Sequence, residues 1–376
     1  MNFRRAERMA VVQKSVIRQI VDRAKPGDIN LGLGEPAFPL PPFIRMAAAE
    51  ALARPRLNYT TTRGIVELRS LVAEYCGRAS IDEICITTGA QEALMAVMFA
   101  LLNSGDHVLL PDPGFLAYPT CARLAGAECD FYQQLPEEKF AFSAERFRAA
   151  LTPHTKLVVI NSPANPTGQI LTEADLRAIA DILTGTDIWV LADEIYSELY
   201  YETAPSSISR YYTQTIVVSG LSKSMGMTGW RLGWAAAPPT AIAAIDIMHQ
   251  YFTTCAATIS QLAALKAFTP AALNAVVEFR AQLREQRDLL ADAVQAQLQT
   301  DFIMPAGAFY MMVDVRRWGT SMSVAERLLD YGVITIPGSA FGDCGEGFLR
   351  ISFSPPLAEL REGITRLARG LSQLRS

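Results

Sequence analysis

Cysteine and histidine are scarce in this chain, and basic residues never gather into a run. Six cysteines lie far apart and form no C-x-x-C pair, which argues against a disulfide framework and against a zinc site. The three histidines show no ligand-like spacing, so we expect no metal centre. A net charge of -4 with scattered Lys and Arg provides no basic surface for nucleic acid or anionic lipid.

Long hydrophobic runs are also missing. The longest one, 93–102, is too short to span a bilayer and is typical of a buried helix. Residues 1–20 begin with basic side chains, but charged residues or Gln interrupt every apolar stretch, which predicts an amphipathic helix rather than a signal peptide. We therefore expect a cytoplasmic protein that binds neither membrane nor nucleic acid.

What the chain does have is length and an alternating pattern. Its 376 residues, half of them hydrophobic, suffice for two domains that share one core or for one very large domain. From about 84 to 236, short apolar runs rich in β-branched residues alternate with helical patterns. This predicts an α/β fold with a mostly parallel sheet covered by helices on both faces. Ligands of such sheets bind beyond the carboxyl ends of the strands.

The pattern changes beyond about residue 259. A helical stretch over 261–299 leads into predicted strands at FYMMVDV, VITIP and FLRISFS, interleaved with helices, which indicates a smaller α+β domain. We predict an N-terminal arm that packs with the small domain, a large domain and a small C-terminal domain, with limits at 1–40, 41–278 and 279–376.

Polar motifs follow several predicted strands in a fixed order. Asn165 opens Asn-Pro-Thr-Gly after KLVVI, and Asp193 and Tyr196 stand in Asp-Glu-Ile-Tyr after IWVLA. Lys223 ends Gly-Leu-Ser-Lys after TIVVS, and Arg231 stands eight residues further on. Taken singly, each motif is explained by a turn, a helix cap, a core aromatic or a solvated lysine. The ordered series makes coincidence a poor explanation.

The series resembles the class I/II aminotransferases, which have the aspartate aminotransferase fold and belong to pyridoxal-phosphate fold type I. The resemblance runs from LGLGEP at 31–36 to FLRISFS at 348–354. It implies that Lys223 carries pyridoxal 5′-phosphate as a Schiff base, for which its amine must be neutral. It also implies that Asp193 pairs with the pyridinium N–H, and that Asn165 and Tyr196 donate to the phenolic oxygen.

The resemblance also implies a binding site for the cofactor phosphate. Thr88-Gly-Ala-Gln ends a predicted strand and opens a helix, so the N–H groups of Ala90 and Gln91 can point at an anion. Arg231 matches the phosphate arginine of the family. Many relatives have serine where this chain has Gly220; either Ser219 or Ser222 could replace that hydroxyl, and Ser222, which precedes Lys223, is the better candidate.

One further match implies a partner subunit. Tyr59, in YTTTRG, matches a tyrosine that reaches the phosphate in the neighbouring subunit, although a tyrosine buried in a turn would give the same pattern. We therefore expect a homodimer with shared active sites.

Substrate contacts follow from the same comparison. Phe115 matches the aromatic residue that stacks on the pyridine ring. Arg350 matches the arginine that grips the substrate α-carboxylate, which Asn165 and the bare backbone of Gly34 also approach. Gln91 stands where some relatives that favour acidic substrates have lysine. We therefore expect a neutral aliphatic, thioether or aromatic donor with 2-oxoglutarate or pyruvate as acceptor, unless loops supply a charged partner such as Arg63.

The expected activity is transfer of an α-amino group to a 2-oxo acid, with Lys223, Asp193 and Tyr196 as the catalytic residues and Lys223 as the general base. A C–S β-lyase, or another elimination or cyclisation enzyme of the same fold, uses the same residues and remains an alternative. A ligand-sensing module fused to a DNA-binding domain is a weaker alternative, because about thirty residues before LGLGEP leave no room for such a domain.

Overall fold

The computed structural model describes residues 4–374, and its elements alternate along the chain. The strands are β1 (Ile29–Asn30), β2 (Ile84–Thr87), β3 (His107–Asp112), β4 (Glu128–Gln133), β5 (Thr155–Asn161), β6 (Trp189–Asp193), β7 (Thr215–Gly220), β8 (Gly233–Ala236), β9 (Phe302–Ile303), β10 (Tyr310–Asp314), β11 (Val333–Ile334), β12 (Ile336–Pro337) and β13 (Phe348–Ser352). The helices are α1 (Val16–Val21), α2 (Pro42–Leu52), α3 (Val66–Tyr75), α4 (Ala90–Leu101), α5 (Ala117–Leu124), α6 (Ala144–Ala150), α7 (Glu173–Leu183), α8 (Pro239–Thr253), α9 (Thr258–Ala264), α10 (Pro270–Ala293), α11 (Ser321–Leu328) and α12 (Leu357–Gln373).

A seven-stranded sheet forms the centre of the larger layer, in the order β2-β8-β7-β6-β5-β3-β4. All neighbouring pairs are parallel except those of β8, which is antiparallel to β2 and to β7. The predicted fold class, a mostly parallel sheet with a smaller α+β layer, is confirmed.

Helices cover both faces of this sheet because its strands are apolar on both sides. Along β5, Val158 and Ile160 join the core under α2, α3, α6 and α7, while Leu157 and Val159 join the core under α4, α5 and α8. Alternation of side chains along an extended strand sends neighbours to opposite faces. A continuous apolar run is therefore what a strand buried on both faces requires.

The smaller layer is a four-stranded antiparallel sheet, β12-β13-β10-β9, flanked by α11 and α12. Helix α10 joins the two layers. Its first turns bring Ala272 and Val276 into the core of the large sheet, whereas Phe279 and Leu283 belong to the core of the smaller layer. The predicted limits at 41–278 and 279–376 remain a prediction, and this change of core along one helix supports them.

The N-terminal arm is less regular than predicted. Instead of one amphipathic helix it contains a 3-10 turn at Glu7–Val11 and the short helix α1, which begins anew because the hydroxyl of Ser15 accepts the N–H of Arg18. Strand β1 pairs with β11, and Ile20, Leu31 and Phe38 lie in the core of the smaller layer. Residues 1–3 of the predicted arm and residues 375–376 of the predicted small domain lie outside the described residues.

The prediction of one helical stretch over 261–299 is also wrong. Thr269 is extended (φ -100, ψ 161), and Pro270 opens α10 at a position where a helix needs no N–H donor. Segments Thr258–Phe268 and Pro270–Leu298 consequently meet at 83°. Within residues 4–374 no single helix is long and apolar enough to cross a membrane, and this bent pair meets that test by length and composition alone.

Candidate active site

A cavity of about 250 Å³ lies at the carboxyl ends of β5, β6 and β7, against the smaller layer. Most of the residues predicted for the site line it, and they come from seven strands or strand ends and from the arm. The lining includes Gly34, Ala90, Gln91, Phe115, Asn165, Asp193, Tyr196, Ser222, Lys223, Arg231 and Arg350. Tyr59 is not among them; it is 84% exposed and belongs to the wall of a surface groove formed by 57–59 and 255–259.

Lys223 lies in the wall of the cavity with its amine turned inward. Its Nζ donates a hydrogen bond to the carbonyl oxygen of Gly34 at 2.5 Å. Burial lowers the pKa of this amine to about 8, and the nearby Arg350 and Arg231 act in the same direction, against the opposing effect of Glu35 and Asp193. About a tenth of such a group is neutral at pH 7, which suits a nucleophile or a general base.

Asp193 ends β6 and is nearly fully buried. Its Oδ2 accepts the hydroxyl of Tyr118 at 2.8 Å, and its Oδ1 accepts the backbone N–H of Ile195 at 3.2 Å. Burial raises the pKa of this carboxyl, while these two hydrogen bonds lower it. Asp193 is therefore a carboxylate that two hydrogen bonds fix in place at the wall of an enclosed cavity. Such a carboxylate suits a cationic N–H partner.

Tyr196 and Tyr310 meet at their hydroxyl groups, with 2.8 Å between the two oxygens. Burial raises the pKa of Tyr196 well above its usual value, so the phenol stays protonated and can donate. The hydroxyl of Tyr310 also occupies the space beside Gly34, where a Cβ would lie 2.1 Å from it. Glycine at position 34 is therefore a steric requirement of this arrangement.

Arg350, on β13, is 1% exposed. Its Nη1 donates to Oδ1 of Asn165 at 2.8 Å and its Nη2 to the carbonyl of Gly32 at 2.5 Å, while the guanidinium lies 4.3 Å from the centre of the Tyr310 ring. Across residues 4–374, no carboxylate pairs with this cation and its Nε has no hydrogen-bond partner. A buried cation held by neutral groups fits an incoming carboxylate.

The start of α4 forms an anion cradle. Gly89 adopts a positive φ of 82, and the guanidinium of Arg231 lies over it, so that a Cβ at Gly89 would stand 2.5 Å from Nη2 of Arg231. The N–H groups of Ala90 and Gln91 have no acceptor in the described part of the chain. Exposed N–H groups at a helix start, together with a planar cation, fit a phosphate group.

The structure gives a physical reason for glycine at position 220. This residue lies in β7 opposite Gly233, and a Cβ there would meet the carbonyl oxygen of Leu232 at 2.8 Å. A serine would therefore need the backbone to shift. Ser219 turns away and donates to the carbonyl of Glu194, whereas Ser222 lines the cavity, which supports Ser222 as the remaining hydroxyl.

Sequence reasoning missed several residues of this cavity. Tyr118 stands one helical turn after Phe115, with which it makes an edge-to-face contact at 5.5 Å, and that spacing was a usable signal. Asn161, the last residue of β5, donates to the carbonyl of Asp193 at 2.8 Å. Tyr310 comes from a distant part of the chain, and nothing local in the sequence points to it.

These features fit pyridoxal phosphate. The cradle at Gly89 would be filled by a single methyl group, the buried Asp193 faces an enclosed space, and Lys223 opens into the same cavity between them. Ala90, Gln91 and Arg231 would hold the phosphate, Asp193 the ring nitrogen, and Lys223 the carbonyl carbon. Arg350 lines the same cavity and pairs with no carboxylate among residues 4–374, so a substrate carboxylate fits beside it.

Known proteins share both the sequence pattern and the fold. The family model for aminotransferase class I and II matches residues 26–367. A probable N-acetyl-LL-diaminopimelate aminotransferase of Bacillus subtilis is 39% identical, covering 90% of this chain and 88% of the relative. Aromatic-amino-acid aminotransferase 2 of Thermococcus litoralis is 33% identical over 98% of both chains. The solved structure of Thermus thermophilus aspartate aminotransferase with maleate superposes with a TM-score of 0.94 at 33% identity, covering 98% of this chain and all of that one (100%).

Proposed function

The chain belongs to the class I and II aminotransferases, and we propose that it takes the amino group of a neutral amino acid. The enzyme is a pyridoxal-phosphate-dependent aminotransferase, which moves an α-amino group to a 2-oxo acid. When bound, the cofactor supplies a conjugated ring that accepts the electron pair left when the substrate Cα–H bond breaks. The identity of the donor is the part that we propose.

The roles of the side chains form part of the proposal. Arg350 binds the substrate α-carboxylate through its fork of N–H groups and thereby fixes the orientation of Cα–H. Lys223, whose pKa is lowered to about 8, takes the proton from Cα and returns it as general base and acid. Asp193 would keep a positive charge on the ring nitrogen of the bound cofactor, and Asn165 and Tyr196 would donate hydrogen bonds to its phenolic oxygen.

The observation that carries the donor assignment is the absence of an uncommitted cation among the cavity-lining residues. Of the cations in the lining, Arg350 lies at the α-carboxylate position, Arg231 lies over Gly89 and Lys223 holds Gly34. Next to them the wall is apolar or neutral, formed by Ile17, Leu94, Phe115 and Gln91. A second substrate carboxylate would lose its hydration without a partner there.

Arg63, the rival candidate for a distal carboxylate, is already paired. Its Nε donates to Asp246 at 2.9 Å, and it does not line the cavity. The names of the relatives do not decide the matter, because they include aromatic, aspartate and diaminopimelate substrates. The lining of this chain's own cavity is therefore the better guide.

The experiment is a panel of the twenty amino acids, each offered with 2-oxoglutarate and with pyruvate, and read out as 2-oxo acid formed. We expect the largest kcat/KM for an aliphatic, thioether or aromatic donor. A preference for aspartate over every neutral donor would refute the assignment. Release of ammonia and pyruvate from cysteine or cystathionine without an acceptor would favour the β-lyase chemistry instead.

The homodimer is proposed on the same footing. Tyr59 is exposed and does not line the cavity of its own chain, as expected for a residue that serves a second subunit. Exposed apolar side chains, including Leu57, Tyr251 and Phe252, are available for a contact between subunits. The cytoplasmic location also stays a proposal, with which the six cysteines, all free thiols, are compatible.

A further inference from the structure

A carboxylate stands in the first turn of α4, directly behind the anion cradle. Oε2 of Glu92 accepts the backbone N–H of Thr88 at 3.1 Å and lies 3.0 Å from Nδ1 of His249. The His249 side chain is 0% exposed and that of Glu92 is 11% exposed. A negative charge this close to a phosphate site repels the phosphate and by itself weakens its binding. The presence of Glu92 at this position therefore needs a structural reason.

The Glu92 carboxylate stabilises the turn between β2 and α4. Thr88 precedes Gly89, whose positive φ of 82 turns the chain out of β2 and into α4. The N–H of Gly89 goes to the carbonyl of Thr87, and the hydroxyl of Thr87 donates to the carbonyl of Gly89. Glu92, the third residue of α4, accepts the N–H of Thr88. In a capping box the glutamate at this position accepts the N–H of the N-cap residue, which here is Gly89, one residue after Thr88.

His249 contacts the Glu92 carboxylate and holds it in place. It lies on α8, which packs against α4 on one face of the large sheet. Its Nδ1 donates to the carboxylate and lies 3.3 Å from the hydroxyl of Thr253. Among residues 4–374, Nε2 of His249 and Oε1 of Glu92 have no hydrogen-bond partner. Burying these two atoms without partners costs free energy of folding, and a positioning role for the pair would explain why the fold accepts that cost.

We infer that Glu92 and His249 are positioning residues for the cofactor phosphate, which hold the Thr88–Gly89 turn so that the N–H groups of Ala90 and Gln91 point into the cradle. The inference rests on the proposed placement of the phosphate at Ala90, Gln91 and Arg231. Neither side chain lines the cavity, so both act through the backbone of the turn.

The test compares two ligands of the full chain after its cofactor has been removed by dialysis: pyridoxal phosphate, and pyridoxal, which lacks the phosphate. Binding of each is followed by visible absorbance. Glu92→Ala and His249→Leu should weaken pyridoxal phosphate by at least about tenfold and change pyridoxal by less than about twofold. Glu92→Gln keeps an oxygen that accepts the Thr88 N–H, so its affinity should stay within about threefold of wild type.

Two controls make the outcomes distinct. Ile245→Val, a buried change on α8, should alter neither affinity. Arg231→Leu must weaken pyridoxal phosphate selectively; if it does not, the placement of the phosphate fails. If Arg231→Leu is selective while Glu92→Ala weakens both ligands equally or neither, the pair is merely structural and the inference falls. Tighter binding of pyridoxal phosphate by Glu92→Gln would show that charge repulsion dominates and would also overturn it.

Discussion

The hydroxyl of Tyr118 donates to the carboxylate of Asp193 with 2.8 Å between Oη and Oδ2. This bond opposes the effect of burial, which raises the pKa of Asp193. Removing the hydroxyl in Tyr118→Phe should therefore raise that pKa further, so that Asp193 loses its charge at a higher pH. We expect the acid limb of the kcat profile to move to higher pH, with little change above pH 8.

Asp193→Ala provides the comparison for this prediction. It should retain cofactor but lose most of its activity at every pH, because no group then keeps the ring nitrogen charged. An acid limb of Tyr118→Phe that coincides with that of wild type would show that the Tyr118 hydroxyl does not control Asp193.

Lys223 gives a prediction about stability. Its pKa is lowered to about 8 in the folded chain by burial, below the unfolded value near 10.4, so between those pH values the unfolded chain binds more protons. The free energy of unfolding of the cofactor-free chain should therefore rise with pH across this window. Lys223→Met should be more stable than wild type by on the order of 2 kcal/mol at pH 7, after allowance for partial exposure, and by little at pH 10.5.

Urea denaturation of both chains at pH 7 and pH 10.5 measures this difference. A stabilisation by Lys223→Met that is the same at both pH values would contradict the prediction, because it would come from packing rather than from the charge of the amine.

Gly89 and Gly185 form a matched pair for testing the anion cradle. Both have a positive φ, of 82 and 83, but a Cβ at Gly185 meets nothing within 4 Å whereas one at Gly89 meets Arg231. Each change to alanine should cost on the order of 1 kcal/mol of stability through backbone strain. Only Gly89→Ala should also weaken pyridoxal phosphate, by at least about tenfold, as measured by equilibrium dialysis. Equal affinities in the two variants would argue against a phosphate at this turn.

The sequence predicted those parts of the site that sit at strand ends. Asp193 and Lys223 follow apolar runs whose parallel pairing brings their carboxyl ends together, so their proximity follows from the pattern. Tyr310 escaped prediction because its contact with Tyr196 joins residues 114 positions apart in different layers, and nothing in its own strand distinguishes it from a core aromatic. The break at Pro270 was a local signal that the helical periodicity on both sides concealed.

Tyr59 carries the prediction about assembly. Light scattering should give the mass of two chains at working concentration. Tyr59→Phe should weaken pyridoxal phosphate severalfold without changing the affinity for pyridoxal, because its hydroxyl would serve the phosphate in the other subunit. Tyr251→Phe, also at an exposed tyrosine, is the control and should change neither affinity. A fully active monomer would contradict both the dimer and the role of Tyr59.

Gln91 offers a test of donor specificity by gain of function. Its side chain lines the cavity next to Leu94, with Nε2 lying 3.6 Å from Sγ of Cys121, and it carries no charge. Gln91→Lys would introduce a cation into this part of the wall, where it could pair with a second substrate carboxylate. We expect the ratio of kcat/KM for aspartate to that for the best neutral donor to rise by at least about tenfold, which corresponds to about 1.4 kcal/mol. Gln91→Met, of similar length and neutral, should leave the ratio close to that of wild type. An unchanged ratio in Gln91→Lys would mean that residue 91 does not face the donor side chain, and the apolar wall alone would then have to account for the selectivity.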